Sequence, residues 1–218
     1  MALTVSTPLT AEEKQRARLR RNHIESRRRL QADITSAVRK GDWEQALMLA
    51  GSTSRPTVLK RLWPRLNLDQ KALAMELAVA NGDLLHRQRA FLVAALAELK
   101  AAGRRVYDSD MARRAFRELP ERLRIFRGTV KQEADGGQYG VCWTLKSETA
   151  RWFAAQQERF RQREAQPAIL TATIARDDIC GLLIERQESE VVVCPADCSD
   201  ITDGSSLLQD VVYPVCMP

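Results

Sequence analysis

The 218-residue sequence contains no apolar run of about 18 residues, so no segment is expected to span a membrane as a helix. Its opening stretch, 1–21, lacks the order of charge, apolar core and cleavage site that marks a secretory signal, and a cytoplasmic location is the expectation. Histidine is nearly absent, with only His23 and His86. Cysteines number five, at 142, 180, 194, 198 and 216, and an odd count argues against a disulfide framework. Cys194 and Cys198 are four apart, but a closed zinc site needs about four ligands and both histidines are distant in sequence. No metal is therefore expected, and the cysteines read as small core hydrophobes. No internal repeat is evident.

Charge is present but unevenly spread. Residues 1–119 carry 23 Lys and Arg against 13 Asp and Glu, whereas residues 120–218 carry 11 against 15. A basic half joined to a mildly acidic half suggests two functional pieces, the first suited to a polyanion such as nucleic acid or a ribosomal surface.

Residues 1–10 read as a disordered arm. Thr10 followed by Glu12 and Glu13 reads as a helix start, and the helix runs to about Lys40 through Arg16, Arg18, Arg20, Arg21 and Arg27-Arg28-Arg29. Its apolar stripe of Leu19, Ile24, Leu30, Ile34 and Val38 is thin. Gly41-Asp42 breaks it. Trp43 to Ala50 and Arg55 to Trp63 read as short helices, with Trp43 and Trp63 as core anchors. Asp69 is expected to cap 70–80, Gly82-Asp83 to form a turn, and Leu85 to Leu99 to form a helix ending at Gly103. Asp108 or Ser109 then caps a helix reaching about Leu119. Residues 11–119 are thus expected to be a basic, all-helical domain.

After Pro120 the pattern changes. Arg122 to Arg127 alternates like a strand, Gly136-Gly137 marks a loop, and Tyr139 to Leu145 reads as a second strand. Ser147 caps a helix through Ala150, Phe153 and Ala154 to about Arg163, stopped by Pro167. Ala168–Ile174, Gly181–Ile184, Glu190–Val193 and Val211–Val215 read as strands. The expected fold class is α+β, with the helical region followed by a mixed, strand-rich domain over 120–218.

Three pieces of this second half stand out by order and interval: Phe126-Arg127-Gly128-Thr129; Gly140-Val141-Cys142-Trp143-Thr144 with Ala150-Arg151-Trp152-Phe153-Ala154; and Arg186-Gln187-Glu188-Ser189-Glu190 before Val191-Val192-Val193. Together they resemble the mono-ADP-ribosyltransferase family, in the branch marked by arginine, then serine-threonine-serine, then glutamate-x-glutamate. The likeness covers about residues 120–218 and is greatest to small bacterial and phage-borne members.

The resemblance implies NAD⁺ as co-substrate and no metal. Arg127 would hold the phosphates or the nicotinamide ribose, because a guanidinium stays charged and forks onto phosphate oxygens. Gly128 would offer backbone to the nicotinamide amide. Cys142-Trp143-Thr144 stands where serine-threonine-serine belongs, with Thr144 matching the last hydroxyl and Cys142 a departure, since a thiol is a poor donor. Phe153 would line the nicotinamide pocket or pack in the core. Glu190 would be the catalytic carboxylate, stabilising an oxocarbenium-like transition state, and Glu188 would orient or deprotonate the acceptor.

The implied activity is transfer of ADP-ribose to a macromolecule: a protein side chain, with arginine suggested by Glu188, or RNA or DNA reached through the basic half. Alternatives are NAD⁺ glycohydrolysis, and an inactive binding module that kept the fold. Small transferases of this kind act as toxins, defence effectors or phage proteins, and a toxin would require an antitoxin partner.

Overall fold

The computed structural model describes residues 10–80, 85–160, 166–185 and 188–208. In chain order the helices are α1 (Ala11–Lys40), α2 (Trp43–Leu49), α3 (Arg55–Leu62), α4 (Leu68–Ala80), α5 (Arg89–Ala101), α6 (Asp110–Glu118), α7 (Lys131–Gly136) and α8 (Ser147–Phe160). The strands are β1 (Val106–Tyr107), β2 (Arg122–Val130), β3 (Cys142–Thr144), β4 (Pro167–Ala175), β5 (Ile179–Leu183), β6 (Glu190–Val193) and β7 (Ser199–Asp203). The seven strands of the described residues join one sheet in the order β1-β5-β6-β3-β2-β4-β7. The α+β class follows, with a helical N-terminal region leading into a mixed sheet. Among the described residues no helix is long and apolar enough to cross a membrane.

Local chemistry sets the helix ends. Gly41 takes φ +77° after α1, with Gly41 N donating to Val38 O and Asp42 N to Ala37 O. This is the paired closure that a left-handed residue makes at a helix C-terminus. Asp42 then caps α2, its Oδ1 accepting from Gln45 N at 3.1 Å. The start of α4 differs from expectation. Asn67, not Asp69, is the cap, because its Oδ1 accepts from Gln70 N at 2.9 Å while Gln70 Oε1 accepts from Asn67 N at 3.0 Å. That reciprocal pair satisfies two orphan donors at once, and Asp69 sits in the first turn instead. Ser109 is the cap of α6, accepting from Ala112 N at 3.1 Å.

The sheet is buried on both faces. Val191 and Val193 belong to one apolar cluster with Leu123, Ile125, Trp143, Leu170, Ile174 and Phe116. Val192 points the other way, into a cluster with Cys180, Leu183 and Cys194 and with the helical residues Trp43, Leu47, Leu59, Trp63, Met75, Leu92 and Leu96. A strand covered twice needs the near-continuous apolar run seen at Val191-Val192-Val193. Trp43 and Trp63 are indeed core residues, and Trp63 Nε1 donates to Glu98 Oε2 at 2.8 Å.

The apolar core therefore runs across the 119/120 position. Val106 and Tyr107 form β1, parallel to β5, so the helical stretch itself contributes a sheet edge. Lys100 of α5 bridges to Asp178 at 2.7 Å and to Asp197 at 2.9 Å, beyond the sheet's near end. Burial opposes its charge, but the two carboxylates outweigh that and its pKa is raised.

Other differences from the sequence reading are local. The expected strand 139–145 shortens to Cys142–Thr144. The stretch before Gly137 forms α7, where Lys131 pairs with Asp135 one turn on at 3.1 Å. Strand β7 comes from a polar segment with no apolar alternation to announce it. Pro167 opens β4. Cys142, Cys180, Cys194 and Cys198 are free thiols, with the Sγ atoms of Cys180 and Cys194 3.7 Å apart. The arm over 1–9, the turn at 82–83, the helix extension to 163, the strand over 211–215 and Cys216 lie outside the described residues.

Helix α8 packs on β2 and β4, with Ala150, Ala154 and Ile169 fully buried and Phe126 against them. Gly128 makes this contact close: a Cβ there would strike the backbone of Ala150 and Ala154 and come within 2.9 Å of Phe153 Cβ. The Gly128→Ala variant is expected to lose about 2 kcal/mol through overpacking, read as a fall in Tm of about 4–8 °C. An unchanged Tm would show that α8 does not seat tightly on β2.

Candidate functional site

Strands β6, β3 and β2 are neighbours, and their register forms one row: Glu190 opposite Thr144, and Thr144 opposite Phe126. Side chains alternate along strands, so Cys142, Thr144, Glu190 and Val192 share one face while Trp143 and Val191 take the other. The first face carries the polar groups.

Strand β3 pairs with β2 at Phe126 alone. Just past that pair, Arg127 Nη1 donates to the Cys142 carbonyl at 2.6 Å. The guanidinium also meets Glu133 Oε1 through Nε at 2.9 Å and Nη2 at 2.8 Å. Gly140 backs this group so closely that a Cβ there would collide with it. Glu133 accepts in addition from Gly140 N at 3.1 Å. Burial pushes the Glu133 carboxyl up, but Arg127, the Thr129 hydroxyl and the Gly140 N–H together outweigh it and hold it below the ordinary carboxylate range.

Cys142 is the link between the two residues singled out from the sequence. Its carbonyl takes the Arg127 hydrogen bond, and its thiol donates to Glu190. Burial raises the thiol pKa most, with Glu190 adding to it, so Cys142 stays a neutral donor.

Thr144 is buried and acts on the backbone. Its Oγ1 donates to Glu188 O at 2.6 Å and accepts from Lys146 N at 3.1 Å. Leu145 N donates to Ser189 O at 3.0 Å. The end of β3 thus clamps the Glu188-Ser189-Glu190 segment. Ser189 has φ +48°, a left-handed conformation that a non-glycine residue adopts only when its surroundings hold it there. The two glutamates are therefore not a simple alternating pair on a strand, yet both line one cavity of about 90 Å³.

That cavity has walls from the helical half. Glu76 of α4, Ala80 and Asp108 line it together with Leu183, Glu185, Glu188 and Glu190. Asp108 Oδ2 accepts from Ile184 N at 2.6 Å and Glu185 N at 2.8 Å, fixing the turn after β5. Glu76 is half-buried, and burial, Asp108 and Glu185 in that order raise its pKa. Among the described residues no group of His, Cys, Asp or Glu is arranged to hold a metal ion.

Cys142, Thr144, Glu188 and Glu190 are thus brought together, whereas Arg127, one residue past Phe126 and so on the opposite face, meets them at the Cys142 carbonyl. Trp143 is not on the cleft wall: it is 2 % exposed in the core, its Nε1 donating to Gly140 O at 3.1 Å. Gly128 turns its missing side chain to α8, and Phe153 is half-buried at that junction, edge-on to Trp152 with centroids 5.0 Å apart. Arg186 lies outside the described residues. The sequence reading missed Glu133, Glu76 and Asp108. Glu133 lies on a helix without a periodic signature, and Glu76 and Asp108 sit far from the motifs in sequence; the capping signal at 108–109 was the sole hint.

No family model, curated protein or solved structure matches the chain.

Replacing Glu133 by Gln leaves the half-buried Arg127 without its counter-ion, at a cost of about 3 kcal/mol at pH 7. Because the Glu133 pKa is lowered on folding, its stabilisation is complete above the unfolded carboxylate value of about 4.3 and is lost as pH falls through the folded one. Urea unfolding of wild type and Glu133→Gln at pH 7 and pH 3 should show the gap close on the acid side. A gap independent of pH would refute this assignment.

Proposed function

We propose that the protein is a mono-ADP-ribosyltransferase that moves ADP-ribose from NAD⁺ to a protein side chain, with arginine as the acceptor. The observation that carries this reading is the double engagement of Cys142, which ties the Arg127 guanidinium to the Glu190 carboxylate across β2, β3 and β6. The sequence motifs place the same residues in those roles.

In this reading Arg127 binds the NAD⁺ phosphates or the nicotinamide ribose. A guanidinium has five N–H donors, so it can hold Glu133 and a ligand together. The bond between nicotinamide nitrogen and ribose C1′ breaks, and nicotinamide leaves as a neutral molecule. Positive charge develops on the sugar, and Glu190, hydrogen-bonded to the 2′-hydroxyl, stabilises it. The acceptor nitrogen then forms a bond to C1′ and gives up a proton, which Glu188 takes. Neither step needs a metal. Thr144 holds Glu188 and Glu190 in place through the backbone.

The acidic cavity supports a cationic acceptor, since Glu76, Asp108 and Glu185 surround the two glutamates. Its volume of about 90 Å³ suits a guanidinium and is well below the roughly 300 Å³ and upward of cofactor sites. NAD⁺ therefore lies largely outside it, or binds as the cleft opens. The setting proposed is that of a cytoplasmic toxin, defence effector or phage protein.

Incubation with labelled NAD⁺ and cell lysate, followed by protease or nuclease digestion, should place the label on protein. Glu190→Ala should lower labelling about 10²- to 10³-fold with its melting curve preserved. Free ADP-ribose without labelled polymer would show a glycohydrolase instead. Nuclease-sensitive label would move the acceptor to nucleic acid, and equal labelling by Glu190→Ala would sink the transferase reading.

A further inference from the structure

We propose that the N-terminal two-thirds of α1 is an arm that docks in the major groove of duplex DNA. This stands on the helix itself and does not depend on the chemistry proposed for the sheet.

Among the described residues helix α1 is attached to the body near its end, where Ile34, Ala37 and Val38 are buried and the helix packs on α2. Every residue from 15 to 33 is exposed, a free rod of about 28 Å at 1.5 Å per residue. The trough beside Arg16, Arg20, Arg21 and Arg28 is lined by α1 residues alone. Residues 14–29 contain eight Lys and Arg and one acid, Glu25. Such density opposes its own helix through like-charge repulsion, and among the described residues of this stretch Arg16 is compensated by Glu12 at 2.6 Å. A polyanion would remove that repulsion; a second copy of the same arm would double it.

The arrangement around the helix selects the polyanion. At 100° per residue Arg16, Arg20 and Arg27 fall on one flank and Arg18 and Arg29, with Glu25 beside them, on another, about 170° apart. Arg21 and Arg28 lie between them on the outward side. Over residues 15–30 the opposite strip carries no charge and holds Gln15, Leu19, Asn22, Ser26 and Leu30, with Glu12 and Asp33 on the same strip beyond its two ends. Two opposed arginine flanks match the two phosphate walls of a groove, with the uncharged strip toward its floor. A helix of about 10–12 Å fits the B-form major groove of about 12 Å. The major groove of duplex RNA is too deep and narrow to admit it. Leu19 and Ile24, 61 % and 50 % exposed, are too isolated to form a seam with another helix.

The test is a titration of the full chain against a fluorescently labelled 20-base-pair DNA duplex at several salt concentrations. Binding is expected to weaken with salt at a log–log slope of about −4 to −5, the value for five neutralised phosphates. The Arg27→Gln/Arg28→Gln/Arg29→Gln variant should bind at least about tenfold more weakly at 0.15 M salt, with the slope reduced by about 2, because Arg27 and Arg29 lie on the flanks and Arg28 faces outward. Gln and Arg have similar helix propensity, so unchanged far-UV circular dichroism in this variant separates lost contact from lost helix. If its helix melts, single Arg27→Gln and Arg18→Gln variants replace it, each expected to lower the slope by about 1. Undiminished binding in variants that keep the helix would overturn the proposal. So would equal competition by duplex RNA or by polyglutamate, or an arginine-dependent self-association of the free chain seen by sedimentation.

Discussion

Burial of the sheet on both faces is the constraint from which the rest follows. Strands β5, β6 and β3 have Trp143, Val191, Val193, Ile179 and Leu182 on one side and Val192, Cys180 and Leu183 on the other. A sheet of this kind cannot stand alone, because its second face would expose a large apolar surface to water. Helices α2 to α5 cover that face, so the basic half is a structural half as much as an accessory. Its core residues, from Leu47 to Leu99, count in the same cluster as Val192 and Cys194. Lys100 then pins α5 to Asp178 and Asp197 at the margin, where charge remains partly hydrated.

The same packing creates the site. Where α4 and the start of α6 meet β5 and β6, Glu76 and Asp108 come beside Glu185, Glu188 and Glu190. Like charges gathered in a small space cost energy unless some are neutralised or engaged. Asp108 is engaged by two backbone N–H groups, Glu76 meets the cost by a raised pKa, and Cys142 offers its thiol to Glu190. Arg127 is treated differently: its charge is balanced locally by Glu133, inside the body of the protein. The proposed transferase site thus has a fixed cation on one side of Cys142 and a cavity of carboxylates on the other.

Much of this was legible along the chain. Apolar periodicity located α5, and the run Val191-Val192-Val193 located β6 to the residue. The Gly41-Asp42 break was correct because a left-handed C-terminal residue and an Asp cap are local chemistry. Short β3 and polar β7 were harder, since pairing with a neighbour, not their own composition, makes them strands. The roles of single residues divided likewise. Arg127, Cys142, Thr144, Glu188 and Glu190 were named from motif order; the two glutamates share a cavity, and Arg127 reaches the Cys142 carbonyl from the opposite face. Trp143 was named with them and belongs to the core, because alternation on β3 turns it away from Cys142 and Thr144.

What the sequence by itself determined is the local grammar: where helices stop, which strands are doubly buried, the arginine density of α1 and the residue types available for chemistry. Each depends on neighbours within a few positions. Only the tertiary structure decided that Glu133 neutralises Arg127, that Cys142 joins Arg127 to Glu190, and that Glu76 and Asp108 close the cavity. Those contacts join residues that sheet order and helix packing bring together, several of them from opposite halves of the chain, and no local pattern encodes such a distance. It was also the fold that left the first two-thirds of α1 exposed among the described residues, turning a basic stretch of sequence into an arm.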